Sequence, residues 1–192
     1  MMMRYFFLML IIFSQPLTAK TAEAIFAGGC FWCVEADFDK LPGVLNTVSG
    51  YDGGTELNPD YPTVSAGKTH YVESVRVVYD TNVLSYQQLL NYYWHHIDPT
   101  VKDSQFCDHG PQYRSVIFFL NEDQKQTALA SKLQLNKQFS TILTEIVPST
   151  HFYPAEAYHQ KYYQKNPIRY TYYRYRCGRD ARVKDLWHDK AD

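Results

Sequence analysis

The residues best suited to chemistry are four cysteines, Cys30, Cys33, Cys107 and Cys177, two of which stand three apart in GGCFWCVE, residues 28–35. Several kinds of chemistry use such a pair. A structural zinc site needs four convergent ligands, and strong zinc patterns show two close cysteine pairs. Here Cys107 and Cys177 stand alone, and among the seven histidines neither His95-His96 nor His159 supplies a paired spacing, so no metal is expected. A thioredoxin-like couple opens a helix after a strand, as this pair would. The downstream chain lacks βαβ alternation, however, and Phe31 and Trp32 would crowd a sulfur that must meet protein partners. The third reading is a single nucleophilic thiolate, Cys30, beside an aromatic wall of Phe31 and Trp32. That wall suits an apolar sulfur-bearing group such as a methyl thioether, because sulfur packs favourably at ring edges.

Positioning Cys30 falls to a strand, a glycine turn and a helix. EAIFAGG (23–29) is a short apolar run closed by two glycines, and Phe31, Val34, Phe38 and Leu41 then recur at helical spacing. Cys30 lies at the helix N-terminus, where unpaired N–H groups and the macrodipole favour an anion, so its thiol pKa is expected to be lowered. In YVESVRVVYD (71–80) the alternation of a strand puts Glu73 on one face with Val75, Val77 and Tyr79, which aims a carboxyl inward. Glu35, one helical turn beyond the aromatic pair, is the rival carboxylate, expected to orient the helix or meet a basic residue of the tail.

The remaining chain mixes helices and strands. SYQQLLNYYWHHID (85–98) reads as a helix capped by Ser85 with Leu89, Leu90, Tyr93 and Trp94 as its buried stripe, and 122–139 as an amphipathic helix. YRSVIFFL (113–120) and the β-rich 140–149 are strands, and AEAYHQKYYQKNP (155–167) is a helix ended by Asn166-Pro167. Residues 57–70 and 98–112 are long Gly/Pro-bearing loops, a length that in compact domains points to function. Residues 168–192 form an aromatic and basic tail expected to lie over the surface. The expected class is α+β: a single domain, a mixed central sheet with flanking helices and long active-site loops.

A chain of 192 residues, 45% apolar and with a formal charge of −1, can bury a sizeable core and shows no basic excess calling for nucleic acid. Residues 1–19 read as a cleaved secretory signal: Arg4 in the n-region, an apolar run of about nine residues, and Ala19 before the cut. That run is far shorter than the roughly 20 residues of a spanning helix. Residues 20–192 are then the mature domain, exported to the periplasm or secreted, where disulfides persist. Four cysteines pair in three ways, and sequence does not choose among them.

Taken together and in order, GGCFWCVE, SGYDGG with NPDY, DHGPQYRS and AEAYHQKY resemble the A-class peptide methionine sulfoxide reductases, over roughly residues 26–167. The resemblance implies that Cys30 attacks the sulfoxide sulfur, Phe31 and Trp32 cradle the methyl group, and Glu73 protonates the sulfoxide oxygen. It also implies that Tyr61 and Tyr113, helped by Asp108, hydrogen-bond that oxygen or organise the site. A donor must be protonated beforehand, so Glu73 should have a raised pKa. Attack leaves Cys30 as a sulfenic acid, which condenses with a nearby thiol. Cys177 ranks first as resolving cysteine because the family commonly keeps one in the tail; Cys107 ranks second, and Cys33, where many relatives carry glycine, third. One departure is Tyr71, two residues before the acid, where many relatives have histidine; His70 stands one position earlier.

The resemblance further implies action on the S epimer of methionine sulfoxide, free or in oxidised proteins, with no bound cofactor and an external thiol reductant of the thioredoxin type. No stable membrane span is expected after cleavage, and the enzyme is expected to be a monomer. Two alternatives remain: a thiol-disulfide oxidoreductase, and a disulfide-stapled binding module.

Overall fold

The computed structural model describes residues 20–187; the expected leader, 1–19, and residues 188–192 lie outside that span. Five strands carry the sheet at its centre and parallel edge: β1 (Thr21–Gly28), β2 (Val44–Asp52), β3 (Val72–Asp80), β6 (Ser115–Phe119) and β7 (Glu145–Pro148). Between β3 and β6 lies a two-residue hairpin of β4 (Ser104–Gln105) and β5 (Asp108–His109), and β8 (Tyr153–Pro154) closes the far edge. The order is β7-β6-β1-β3-β2-β8, antiparallel except for the β6–β7 pair. Prolines end both edge strands, where a missing N–H costs no ladder bond. This is the expected α+β domain with a mixed sheet.

Among the described residues seven α-helices flank the sheet: α1 (Phe31–Phe38), α2 (Tyr61–Ser65), α3 (Tyr86–Trp94), α4 (Glu122–Leu135), α5 (Tyr162–Lys165), α6 (Pro167–Cys177) and α7 (Arg179–Trp187). Helix α3 has the expected start: the Ser85 hydroxyl accepts from the Gln88 N–H while the Gln88 side chain accepts from the Ser85 N–H. Its stripe of Leu89, Leu90, Tyr93 and Trp94 is buried as read. Helix α4 departs from the amphipathic expectation, burying Gln124, Ala128 and Ser131 while Leu129 and Leu133 face solvent. Small residues there leave room for Trp94, whose indole N–H donates to the Ser131 hydroxyl at 3.0 Å.

Three further segments depart from their sequence reading. Residues 57–70 carry the short helix α2, started by the Asp60 carboxylate accepting from the Thr63 N–H. Residues 155–167 are mostly turns, with helix only at α5, because AEAYHQ spends its polar groups on distant strands: Gln160 bonds the Ser49 N–H and carbonyl. The segment after 167 is no surface cover. It forms α6 and α7, and Tyr170, Arg179, Val183 and Trp187 are buried. Arg179 donates to the carbonyls of Gly28 at 3.0 Å and His96 at 2.8 Å, and lies 3.4 Å from the Asp37 carboxylate. The tail thereby braces the turn that carries Cys30. Among the described residues no helix is long and apolar enough to cross a membrane.

Candidate active site

Strand β1 ends at Gly28, and Gly29 turns the chain at φ +88°, where a Cβ would meet Gln105 at 2.7 Å. Only glycine combines that dihedral with that approach. Cys30 then caps α1 with a non-helical backbone, 8% exposed. The next N–H, that of Phe31, donates to the Glu73 carboxyl at 3.0 Å. Strand alternation delivers Glu73 to this point, with Val75, Val77 and Tyr79 on the same buried face as expected.

Burial governs the acidities. It pushes Glu73 up to about 8, against the Phe31 N–H bond that favours the anion, and the Asp108 charge adds to the rise. It also raises Tyr61 and Tyr113, with Glu73 as the next cause for both, and raises Asp108. The Asp108 carboxylate accepts from the Tyr173 hydroxyl at 2.6 Å and from the Cys30 backbone. The structure thus brings Cys30, Glu73, Tyr61, Asp108 and Tyr113 into one electrostatic neighbourhood.

Cys30 reverses its expectation. Its thiol is raised well above the ordinary value, first by burial and then by donating a hydrogen bond to Cys33. The start of one two-turn helix does not outweigh desolvation beside two carboxyl groups. Cys33 is lowered, chiefly by accepting that bond, with Arg179 and Arg174 adding to the effect against burial.

The aromatic pair divides. Phe31 is 1% exposed, packed on Tyr51, Tyr61 and His159, whereas Trp32 is half-buried. Trp32 stacks on Tyr162 at 3.8 Å, and its indole N–H donates to His159 Nδ1 at 2.9 Å. Buried His159 has its pKa lowered, chiefly by desolvation, so the neutral ring accepts this bond. Glu156 binds the Tyr51 hydroxyl and the Tyr61 N–H, each at 2.8 Å, which fixes two ring walls with one carboxylate. His159 and Glu156 received no site role from sequence, although both lie in AEAYHQKY; their targets are 127 and 95–105 residues away.

The cysteine ranking meets a different arrangement. Cys107 and Cys177 are joined to each other, while Cys30 and Cys33 are free and buried. Cys107, Asp108 and Cys177 hold ligand-type atoms within 4.8 Å of one another. With the sulfurs bonded together, no thiolate is left there to hold a metal ion. Glu35, the rival carboxylate, is fully buried and accepts from the Lys161 N–H at 2.8 Å, so its basic partner precedes the tail. Tyr71 is buried and bonds the Glu56 carbonyl, whereas His70 is exposed beside the Glu56 carboxylate.

A buried cysteine next to a carboxyl held neutral, with a disulfide in the same α+β domain, defines a cysteine-dependent oxidoreductase. The profile described as peptide methionine sulfoxide reductase matches residues 22–191, and the chain belongs to that family. It is 45% identical over 194 residues to peptide methionine sulfoxide reductase MsrA 2 of Rhizobium meliloti, covering 99% of this chain and 97% of the relative. It is 42% identical over 173 residues to the MsrA/MsrB protein of Vibrio cholerae, covering 88% of this chain but 46% of that relative, so it spans about half of that longer protein. The solved methionine sulfoxide reductase A of Corynebacterium diphtheriae superposes with a TM-score of 0.75 at 34% identity, over 80% of this chain and 77% of the other.

Proposed function

We propose that the chain reduces methionine S-sulfoxide, free or in oxidised proteins, to methionine. The observation that carries the reading is the Glu73 carboxyl, held neutral to about pH 8 and bonded to the N–H next to Cys30. Cys30 attacks the sulfoxide sulfur while Glu73 supplies a proton to the oxygen. The Cys30–substrate sulfur bond so formed then breaks as the protonated oxygen passes from the substrate sulfur to the Cys30 sulfur; the thioether leaves, Cys30 is left as a sulfenic acid, and the sulfoxide gains the two electrons the thiol loses. Tyr61 and Tyr113, kept protonated by burial, donate to the developing oxyanion in this reading. Half-buried Trp32, held by His159 and Tyr162, takes the methyl group.

The oxidised cysteines must then be reduced, and a thioredoxin-type dithiol is the proposed donor; Cys107 is exposed at the surface for it. No bound cofactor enters the reaction. Export to the periplasm or outside is proposed from the basic and apolar first residues and fits a protein holding a disulfide.

The test is turnover of resolved methyl sulfoxide epimers with dithiothreitol. The S epimer should be consumed, and Cys30→Ser should abolish this while circular dichroism is unchanged. Reduction of insulin-type disulfides without sulfoxide turnover would favour the thiol-disulfide oxidoreductase instead.

A further inference from the structure

Once its bond is cut, the Cys107–Cys177 pair offers a kind of chemistry that the disulfide hides. Each sulfur lies 4.0 Å from an oxygen of one carboxylate, Cys107 Sγ from Asp108 Oδ1 and Cys177 Sγ from Asp108 Oδ2. Two cysteine sulfurs and a carboxylate that converge in this way form a ligand set for a divalent cation such as Zn²⁺. With bonds of about 2.3 Å to sulfur and about 2.1 Å to oxygen, tetrahedral angles separate sulfur from oxygen by about 3.6 Å. The carboxylate already stands close to that distance from both sulfurs. The sulfurs themselves must part to about 3.8 Å, which reduction permits.

Contacts other than the disulfide hold the two ligand segments together. On α6, Tyr173 donates to Asp108 Oδ2 at 2.6 Å, and Arg174 donates to the buried Asp37 carboxylate at 2.7 Å. Just beyond Cys177, Arg179 donates to the Gly28 carbonyl at 3.0 Å. Across the hairpin Gln105 pairs with Asp108, and its side chain bonds the Asp98 N–H and carbonyl. Two of the contacts also have the form of an outer coordination shell. The Cys107 N–H donates to the Cys177 sulfur at 3.2 Å, and the Tyr173 hydroxyl orients the carboxylate. Cys107 is exposed, so water reaches a fourth position.

We propose that reduction of the outer pair creates a Zn²⁺ site of Cys107, Asp108 and Cys177, completed by water, and that the disulfide abolishes it. An external dithiol supplies two electrons and two protons; the Cys107–Cys177 bond becomes two thiols and the donor becomes a disulfide. Zn²⁺ then replaces the two thiol protons, which pass to solvent, and no electron moves in that step. Binding stands apart from the reductase reading, while its consequence rests on it. The cation occupies the thiols that exchange with the donor and the Asp108 carboxylate beside Cys30, so turnover stalls while it is held.

The test titrates full-length protein with Cd²⁺, whose bonds to thiolate absorb in the ultraviolet, and with Zn²⁺ in competition with a chromophoric chelator. Protein reduced with a phosphine and then freed of it should bind one cation per chain and show the thiolate band. Protein with the outer disulfide intact should show neither, although Cys30 and Cys33 are free thiols there; this comparison needs no variant. Reduced Cys107→Ser/Cys177→Ser should lose the band, reduced Cys30→Ser/Cys33→Ser should keep it, and Asp108→Asn should weaken binding by more than about tenfold. Equal binding by the disulfide-bonded protein overturns the proposal, as does a band that survives in Cys107→Ser/Cys177→Ser. Wild-type affinity in Asp108→Asn, folded by circular dichroism, overturns it too. Sulfoxide turnover in metal-free buffer tests the reductase reading separately, and no outcome of the titration bears on it.

Discussion

The Phe31 backbone N–H donates to the Glu73 carboxyl at 3.0 Å, tying the first helical residue after Cys30 to a strand 42 residues further along the chain. The bond places the acid beside the thiol, and burial keeps the acid neutral despite it. Acid strength and acid position thus come from the same packing.

For Glu73→Gln, the amide oxygen still accepts from Phe31 but has no acidic proton to give. The rate of sulfoxide reduction should fall by about 10²–10⁴, the span of a general-acid contribution. Wild-type kcat/KM should decline as pH rises through about 8, where Glu73 ionises, and the variant should lose that limb. Steady-state rates across pH check both.

The same proton shapes stability. A carboxyl whose folded pKa is raised binds protons more tightly folded than unfolded, so its contribution is complete below the unfolded value and lost as pH rises through about 8. The stability of wild type relative to Glu73→Gln should therefore fall between about pH 4.3, the unfolded value, and the folded one, at up to roughly 1.4 kcal/mol per pH unit. Urea denaturation at a series of pH values measures the slope; a flat difference would show an ordinary, ionised carboxylate.

His159→Ala removes the acceptor for the Trp32 indole N–H. A neutral hydrogen bond is worth about 1 kcal/mol, so KM should rise roughly five- to tenfold through misplacement of the methyl wall, with a smaller change in kcat. His159→Gln, which can still accept, should recover part of the loss. A shift in Trp fluorescence should accompany the alanine variant.

Arg179→Ala leaves the Gly28 and His96 carbonyls and the buried Asp37 carboxylate short of a partner. Breaking such a buried set costs about 3–5 kcal/mol. Arg179→Lys should restore little, since a single ammonium cannot span three acceptors in the guanidinium's plane. Equilibrium unfolding midpoints compare the three proteins.

Much of this site is legible along the chain. Strand, glycine turn and helix around Cys30 follow from local periodicity, as do the Ser85 cap and the inward face of Glu73, since each depends on residues within a few positions. The tail defeats that reading: YRYRCGRDARVKDLW has helical capacity but no clean apolar stripe, because its buried members include Arg179, whose partners lie 83 and 151 residues away. His159 and Glu156 are illegible as site residues for the same reason.

What the sequence by itself determined is the set of reactive side chains, the elements that present them and the family to which they belong. Only the tertiary structure decided which of three cysteine pairings forms, because closing a separation of 70 residues needs α6 docked beside the 98–112 loop. It also decided that Cys30 is raised rather than lowered, because burial among carboxyl groups is a property of the packed molecule and the helix start is a property of the chain.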